Sequence, residues 1–114
     1  PWLTEHPLAN FAWSSQARGF FAAPDAEPLR TGVNSWDDEG NRERRRRAFE
    51  LAEKYGVSGI NIAAAYVLSQ PFPSFALIGP RRLSELRTSL PALAIELSDA
   101  ERAYLDLRSD DKPA

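Results

Sequence analysis

The chain has 114 residues, 43% of them hydrophobic, a formal charge of -2 and no cysteine. That is one domain of chain at most, able to bury roughly two-thirds of its unfolded surface and apolar enough to rule out wholesale disorder. The charge gives no pull toward nucleic acid or anionic membrane, no apolar run approaches the ~18 residues that span a bilayer, and disulfide and thiolate chemistry are excluded.

Methionine is also absent, and the opening Pro1-Trp2 reads as the start of a trimmed piece of a longer protein, expected to be cytoplasmic. Pro1 to Pro7 is short and turn-prone. The first strand is expected over residues 8–13, a compact apolar run rich in aromatics and ended by Ser14-Ser15. From Ala22 to Gly40 no period of 2 or 3.6 survives among Pro24, Pro28, Gly32 and Gly40, which predicts a long loop. A helix is expected from Asn41 to Tyr55, with Ala48, Leu51, Ala52 and Tyr55 on one face and Gly56 as its stop. Ser58 caps a second, more apolar helix through Ser69, with Ile60, Ala63, Ala64, Val67 and Leu68 on its buried side. Pro71 and Pro73 end it.

Phe75 to Ile78 reads as a second strand, wholly apolar as a parallel strand covered on both faces should be. Leu83, Leu86, Leu90 and Leu93 then recur at helical spacing, with Pro91 placed to kink or restart that helix because it lacks an N–H. Ser98-Asp-Ala-Glu101 is a capping box opening a last helix through Leu107. Strands alternating with helices imply a parallel sheet, yet two strands do not make a stable one. The architecture is incomplete.

Two segments carry the chemistry. Phe11-Ala-Trp-Ser-Ser-Gln-Ala-Arg-Gly-Phe-Phe21 and Phe75-Ala-Leu-Ile-Gly-Pro-Arg-Arg-Leu-Ser-Glu-Leu-Arg-Thr-Ser-Leu90 each run from an apolar stretch into a polar turn holding Gly and Arg. Gly79 lets a backbone approach a ligand, and the helix start that follows offers free N–H groups to phosphate. Arg81 adds a planar, permanently charged fork, which Arg82 can assist. A cation at a helix start opposes the helix dipole, so its placement asks for an anion. The plainer alternatives are a Trp13 that ends a strand as ordinary core, an Arg18 solvated in its loop, and a Pro80-Arg81-Arg82 that merely begins a helix.

These two junctions resemble the last two strand-to-loop junctions of the aldo-keto reductases, NAD(P)H-dependent (β/α)8 barrels. The resemblance runs from about Leu8 to Leu107 and covers about the last third of the family's usual length. It implies an α/β chain forming the C-terminal portion of a TIM barrel: the last two βα units plus the C-terminal helix. On that basis residues 8–21 are strand and cofactor loop, 22–40 a long loop clasping the cofactor with Trp36 as a contact, 41–70 helices, 75–81 strand and phosphate turn, and 82–109 helices. The resemblance assigns Trp13 to the nicotinamide face, Ser14, Gln16, Arg18 and Gly19 to the pyrophosphate, and Gly79, Pro80, Arg81, Glu85 and Ser89 to the adenosine end. Trp13 stands where Tyr is commoner, and Gln16 where Leu is. Glu85 replaces a Gln or Arg, where a carboxylate would repel a 2'-phosphate and suit a ribose 2'-hydroxyl; Ser89 is shorter than the family's Asn. Arg81 therefore argues for NADP(H) and Glu85 for NAD(H). The family's catalytic Asp, Tyr, Lys and His come from earlier strands, so no catalytic residue is assigned here and the isolated chain is expected to be inactive. The implied partners are a nicotinamide dinucleotide, a small carbonyl substrate, and the remainder of the barrel or an oligomeric partner.

Arg42 to Arg47 holds five arginines in six residues, which raises nucleic acid as a ligand. On a helix they spread around the cylinder within reach of Glu39, Glu43 and Glu50, so a solvated face is the reading preferred. His6 has no partner to tune it for catalysis, and Tyr55, Tyr66 and Tyr104 read as packing residues. The rival from another class is a self-associating nucleotide-binding or interaction module that hides its exposed sheet edges in an oligomer.

Overall fold

A computed structural model describes residues 2–6, 8–22 and 37–114. Most of the loop expected over 22–40, with Trp36 and its expected contact, lies outside the described residues. The elements in order are α1 (Trp2–Glu5), β1 (Asn10–Ala12), a 3-10 turn (Ala17–Gly19), α2 (Glu39–Tyr55), α3 (Gly59–Leu68), β2 (Ser74–Ala76), α4 (Leu83–Ser89), a second 3-10 turn (Leu90–Ala94) and α5 (Asp99–Leu105). The opening segment, expected as a turn between prolines, instead forms the one helical turn α1, closed by a 3.0 Å bond from the His6 amide to the Trp2 carbonyl. β1 and β2 pair in parallel, with Asn10 opposite Ser74, Phe11 opposite Phe75 and Ala12 opposite Ala76.

Local signals set most helix ends. α2 begins at Glu39, two residues before the expected start, with Asp38 capping it by accepting from the Asn41 amide at 2.7 Å, and Gly56 stops it in the left-handed region at φ 66°. The capping box of α5 forms in full, the Glu101 amide donating to Ser98 Oγ and the Ser98 amide to Glu101 Oε2. Ser58 precedes α3 in extended conformation but does not cap it; its Oγ accepts from Asn61 Nδ2 at 3.1 Å. Gly59 is held by contact, because a Cβ there would lie 2.6 Å from the Phe21 carbonyl oxygen and 3.1 Å from the Phe49 ring.

The core lies where α2, α3 and α5 meet: Ala48, Leu51 and Ala52 from α2, Ile62 and Ala65 from α3, Ile95 and Leu97 beyond the second 3-10 turn, and Leu105. Full burial of a side chain such as Leu51 or Ile62 is worth roughly 1.5–3 kcal/mol. The α2 face is the one expected. α3 is rotated from its expected phase: Ile62 and Ala65 are buried beside Ala63 and Ala64, while Ile60, Val67 and Leu68 are only half-buried.

Three further expectations are corrected. β2 is not covered on both faces: Phe75 is 50% exposed, and Leu77 and Ile78 are exposed as well. Of the leucines of the fourth helical segment, Leu83, Leu90 and Leu93 are exposed, Leu93 to 73%, and Leu86 is half-buried, while the small residues Ser89 and Ala92 are buried. The helix ends at Ser89, before Pro91, and continues as a 3-10 turn with Pro91 near its start. The arginine run is also not uniformly solvated. Arg42 and Arg46 are exposed and paired with Asp37, Glu43 and Glu50. Arg47 is buried, donating to the carbonyls of Tyr104 at 2.8 Å and Ser109 at 2.6 Å and to Asp110 at 2.7 Å, with its guanidinium over the Tyr104 ring. It pins the C-terminal segment to α2. The tyrosines do pack, and each hydroxyl also donates to a carboxylate: Tyr55 to Glu101, Tyr66 to Asp106 and Tyr104 to Glu50. No described helix is long and apolar enough to cross a membrane.

Candidate functional site

Because β1 and β2 are parallel and in register, the chain leaves both strands at the same edge of the sheet. The segment from Trp13 to Gly19 and the segment from Leu77 to Arg82 therefore rise side by side. The carboxyl edge of parallel strands is where loops are free to hold a ligand while the sheet fixes their origins. The pair is reinforced by the stacked rings of Phe11 and Phe75, 5.0 Å between centroids.

Three side chains stitch the two segments together. Ser15 Oγ donates to the Leu77 carbonyl at 3.0 Å. Gln16 Nε2 donates to Ser89 Oγ at 3.0 Å, and Ser89 Oγ in turn donates to the Glu85 carbonyl at 2.9 Å. Between the stitches the first loop is tightly wound. Ser14 and Ala17 take left-handed conformations at φ 52° and 51°, and Gly19 sits at φ 90°. Such values are costly for residues with a Cβ, and they persist where surrounding bonds over-determine the backbone; here the Ala17 amide donates to the Ser14 carbonyl at 2.7 Å.

The residues singled out from sequence divide into two groups. Trp13 is 84% exposed, its indole free at the top of β1. Ser14, Gly19, Gly79, Pro80, Arg81 and Glu85 are exposed too, and a Cβ at Gly79 would meet nothing within 4 Å. The backbone of Arg18 runs through the first 3-10 turn, while its side chain lies outside the description. Gln16 and Ser89 differ: Ser89 is only 8% exposed, and both side chains are engaged with each other. Their hydrogen bond ties the first loop to the helix after the second strand.

At the second turn the Glu85 carboxylate folds back and accepts from the Arg81 amide at 2.6 Å. That amide holds the Glu85 carboxyl below the usual carboxylate range, against the opposing effect of desolvation, and the Arg82 amide and the two guanidinium charges add to it. Neither the Arg81 nor the Arg82 guanidinium forms an ion pair among the described residues. The turn is thus exposed, cationic and already shaped around one internal carboxylate.

A cavity of about 290 Å³ opens between the first loop and α2 and α3, lined by Trp13, Ser14, Ala17, Arg44, Ile62 and Tyr66 among others. It takes in the start of the first segment but not the Gly79–Arg81 turn, so the two ends of the candidate site are joined by the stitched loops, not by this cavity. Among the described residues no group of three or more His, Asp or Glu side chains could hold a metal ion. From the sequence Ser15 reads as the end of a strand, Arg44 as part of a solvated arginine face and Tyr66 as a packing residue; none of the three was expected to tie the loops or line a cavity. For Ser15 a signal was present, since paired serines at a strand end often bond nearby backbone; Arg44 and Tyr66 reach the cavity only through the packing of α2 and α3.

The model of the aldo/keto reductase family matches residues 4–108. A norsolorinic acid reductase of Emericella nidulans is 29% identical over 102 residues, covering 89% of this chain and 26% of that protein. The chain thus spans about a quarter of the length of this curated relative.

Proposed function

The chain belongs to the aldo/keto reductase family, and from that premise we propose that it is the dinucleotide-holding portion of an NAD(P)H-dependent oxidoreductase that reduces carbonyl compounds. Its elements would be the seventh and eighth βα units of a (β/α)8 barrel and the C-terminal helix. The observation that carries this reading is the shared edge of the parallel pair, from which both candidate segments emerge stitched to one another by Ser15 and by Gln16 with Ser89. A relative named as a reductase supports the same reaction class.

The residues present fit a nicotinamide dinucleotide at both ends. Trp13 offers an exposed π face suited to a flat ring. The exposed Ser14 hydroxyl, with Gly19 allowing close backbone approach, suits a pyrophosphate, and the exposed Arg81 and Arg82 suit the phosphates near adenosine. Gln16 and Ser89 position these groups. The dinucleotide, when bound, supplies the hydride; this chain's contribution is to bind and orient it, and the acid and base groups belong to other parts of the barrel. NADP(H) or NAD(H) is the cofactor and a small carbonyl compound the substrate.

The test is to titrate the longer parent protein with NADPH while following tryptophan fluorescence. Arg81→Ala is expected to weaken NADPH binding about tenfold, as loss of one charge-assisted contact does. An unchanged affinity would remove Arg81 from the site.

A second reading, self-association through exposed faces, is favoured by the exposure of Phe11, Phe75, Leu83 and Leu93. The same faces would meet the remainder of a barrel.

A further inference from the structure

We propose that the cavity between the first loop, α2 and α3 is a binding site for a small apolar carboxylic acid, its hydrocarbon part held between the apolar walls and its carboxylate on Arg44. This site goes beyond the dinucleotide reading, and the Gly79–Arg81 turn has no part in it.

Small residues make the space. Ala12, Ala17, Ala48 and Ala63 line it from β1, the first 3-10 turn, α2 and α3. Their methyl groups leave about 290 Å³ open between larger walls such as Ile62 and Leu105. That volume stands at the lower end of the range for small-molecule pockets. Apolar space of this kind offers water few partners, while hydrocarbon gains by leaving water for it.

Charge sets the other end of the ligand. Among the described residues, the charged groups lining the cavity are Arg44 and Asp106. Asp106 is already satisfied, accepting from the Tyr66 hydroxyl and, at 2.9 Å, from Arg108 Nη2. Arg44 is not. It is half-buried, and its hydrogen bond goes to a neutral group, Nη1 donating to Asn41 Oδ1 at 3.0 Å. Its neighbours Arg42, Arg46 and Arg47 all pair with carboxylates, whereas Arg44 forms no ion pair among the described residues. A guanidinium has five N–H donors in a planar fork that matches a carboxylate. An apolar cavity with such a fork in its wall therefore selects an apolar acid over an apolar alcohol or amine. The competing explanation is a packing gap beside a merely solvated arginine, which would take apolar molecules without regard to charge.

The experiment compares octanoate with octanol, probes that share a chain length and differ in charge. Each is titrated, without nucleotide, into the longer parent protein and into its Arg44→Gln and Arg44→Lys variants. Binding is read from the methyl resonances of Ile62 and Val67, and circular dichroism checks that each protein is folded. Octanoate should perturb these methyls and bind about tenfold more tightly than octanol, the effect of one charge-assisted contact. Arg44→Gln should bring the two affinities together, and Arg44→Lys, which keeps the charge, should retain most of the preference. Equal affinities in the parent, or a preference that survives Arg44→Gln, would identify a packing gap and overturn the proposal. Methyl resonances that octanoate leaves unmoved in the parent would show the cavity closed in the whole protein and overturn it as well.

Discussion

Glu101 is the residue on which the packing of α5 most depends. It is 1% exposed, yet its carboxylate accepts from Lys54 Nζ at 2.7 Å, from the Tyr55 hydroxyl at 2.8 Å and from the Ser98 amide at 2.9 Å. Burial pushes its carboxyl upward, but Lys54, the Ser98 amide and Tyr55 together outweigh this and hold it below the usual value of 4.5. Glu43, held by Arg46 and then by Arg47, is lowered further, to about 2. A carboxyl lowered on folding contributes stability that is full above its unfolded value and is lost as pH falls through the folded one. Stability should therefore hold above pH 4.5 and decline below it toward about 2. Glu101→Gln should lower stability at pH 7 by about 1–2 kcal/mol, since it weakens the buried hydrogen bonds from Lys54, Tyr55 and Ser98 while the partly exposed Lys54 can turn to water, and should flatten the acid decline seen in urea titrations at several pH values. A variant as stable as the parent would show that the cluster is not energetically linked to folding. Trp13 became a site candidate only through the family resemblance, and Arg81 through that resemblance and its cationic place at a helix start. The inward turn of Ser89 was not legible, because a small polar residue on a helix carries no sign of which face it will occupy.

At the scale of elements, the helix ends were legible and the helix faces less so. The α5 capping box, the Gly56 stop and the break before Pro91 are local signals, readable over a few residues. The phase of α3 is different in kind: Ile60, Ile62, Ala63, Ala64, Ala65, Val67 and Leu68 surround that helix with apolar groups, so no periodicity selects a buried side. What fixes it is the contact of its start with the first loop and with α2. Gly59→Ala tests this directly, because the added methyl would sit 2.6 Å from the Phe21 carbonyl oxygen. Overpacking of that kind costs about 1–3 kcal/mol. The denaturation midpoint should fall accordingly, and an unchanged midpoint would mean that α3 is not seated against the loop.

For the molecule as a whole, the exposed aromatic and leucine faces are the largest departure from expectation. Phe11 and Phe75 stack across the strand pair with their faces open, and Leu83, Leu90 and Leu93 form an outward row. Periodicity grouped these leucines but did not give their exposure, because helical spacing alone does not say which face is packed against the rest of the chain. Replacing Leu83 and Leu93 with Lys should reduce concentration-dependent association of the isolated chain in sedimentation velocity; association that persists undiminished would place the interface elsewhere. The central claim is that the loops leaving β1 and β2 grip a nicotinamide dinucleotide. Its most direct test is NADH and NADPH titration of the parent protein and its Trp13→Phe variant, followed by tryptophan fluorescence. Saturable quenching that is largely lost in Trp13→Phe is the result expected; quenching that survives the substitution, or none in the parent, would contradict the account.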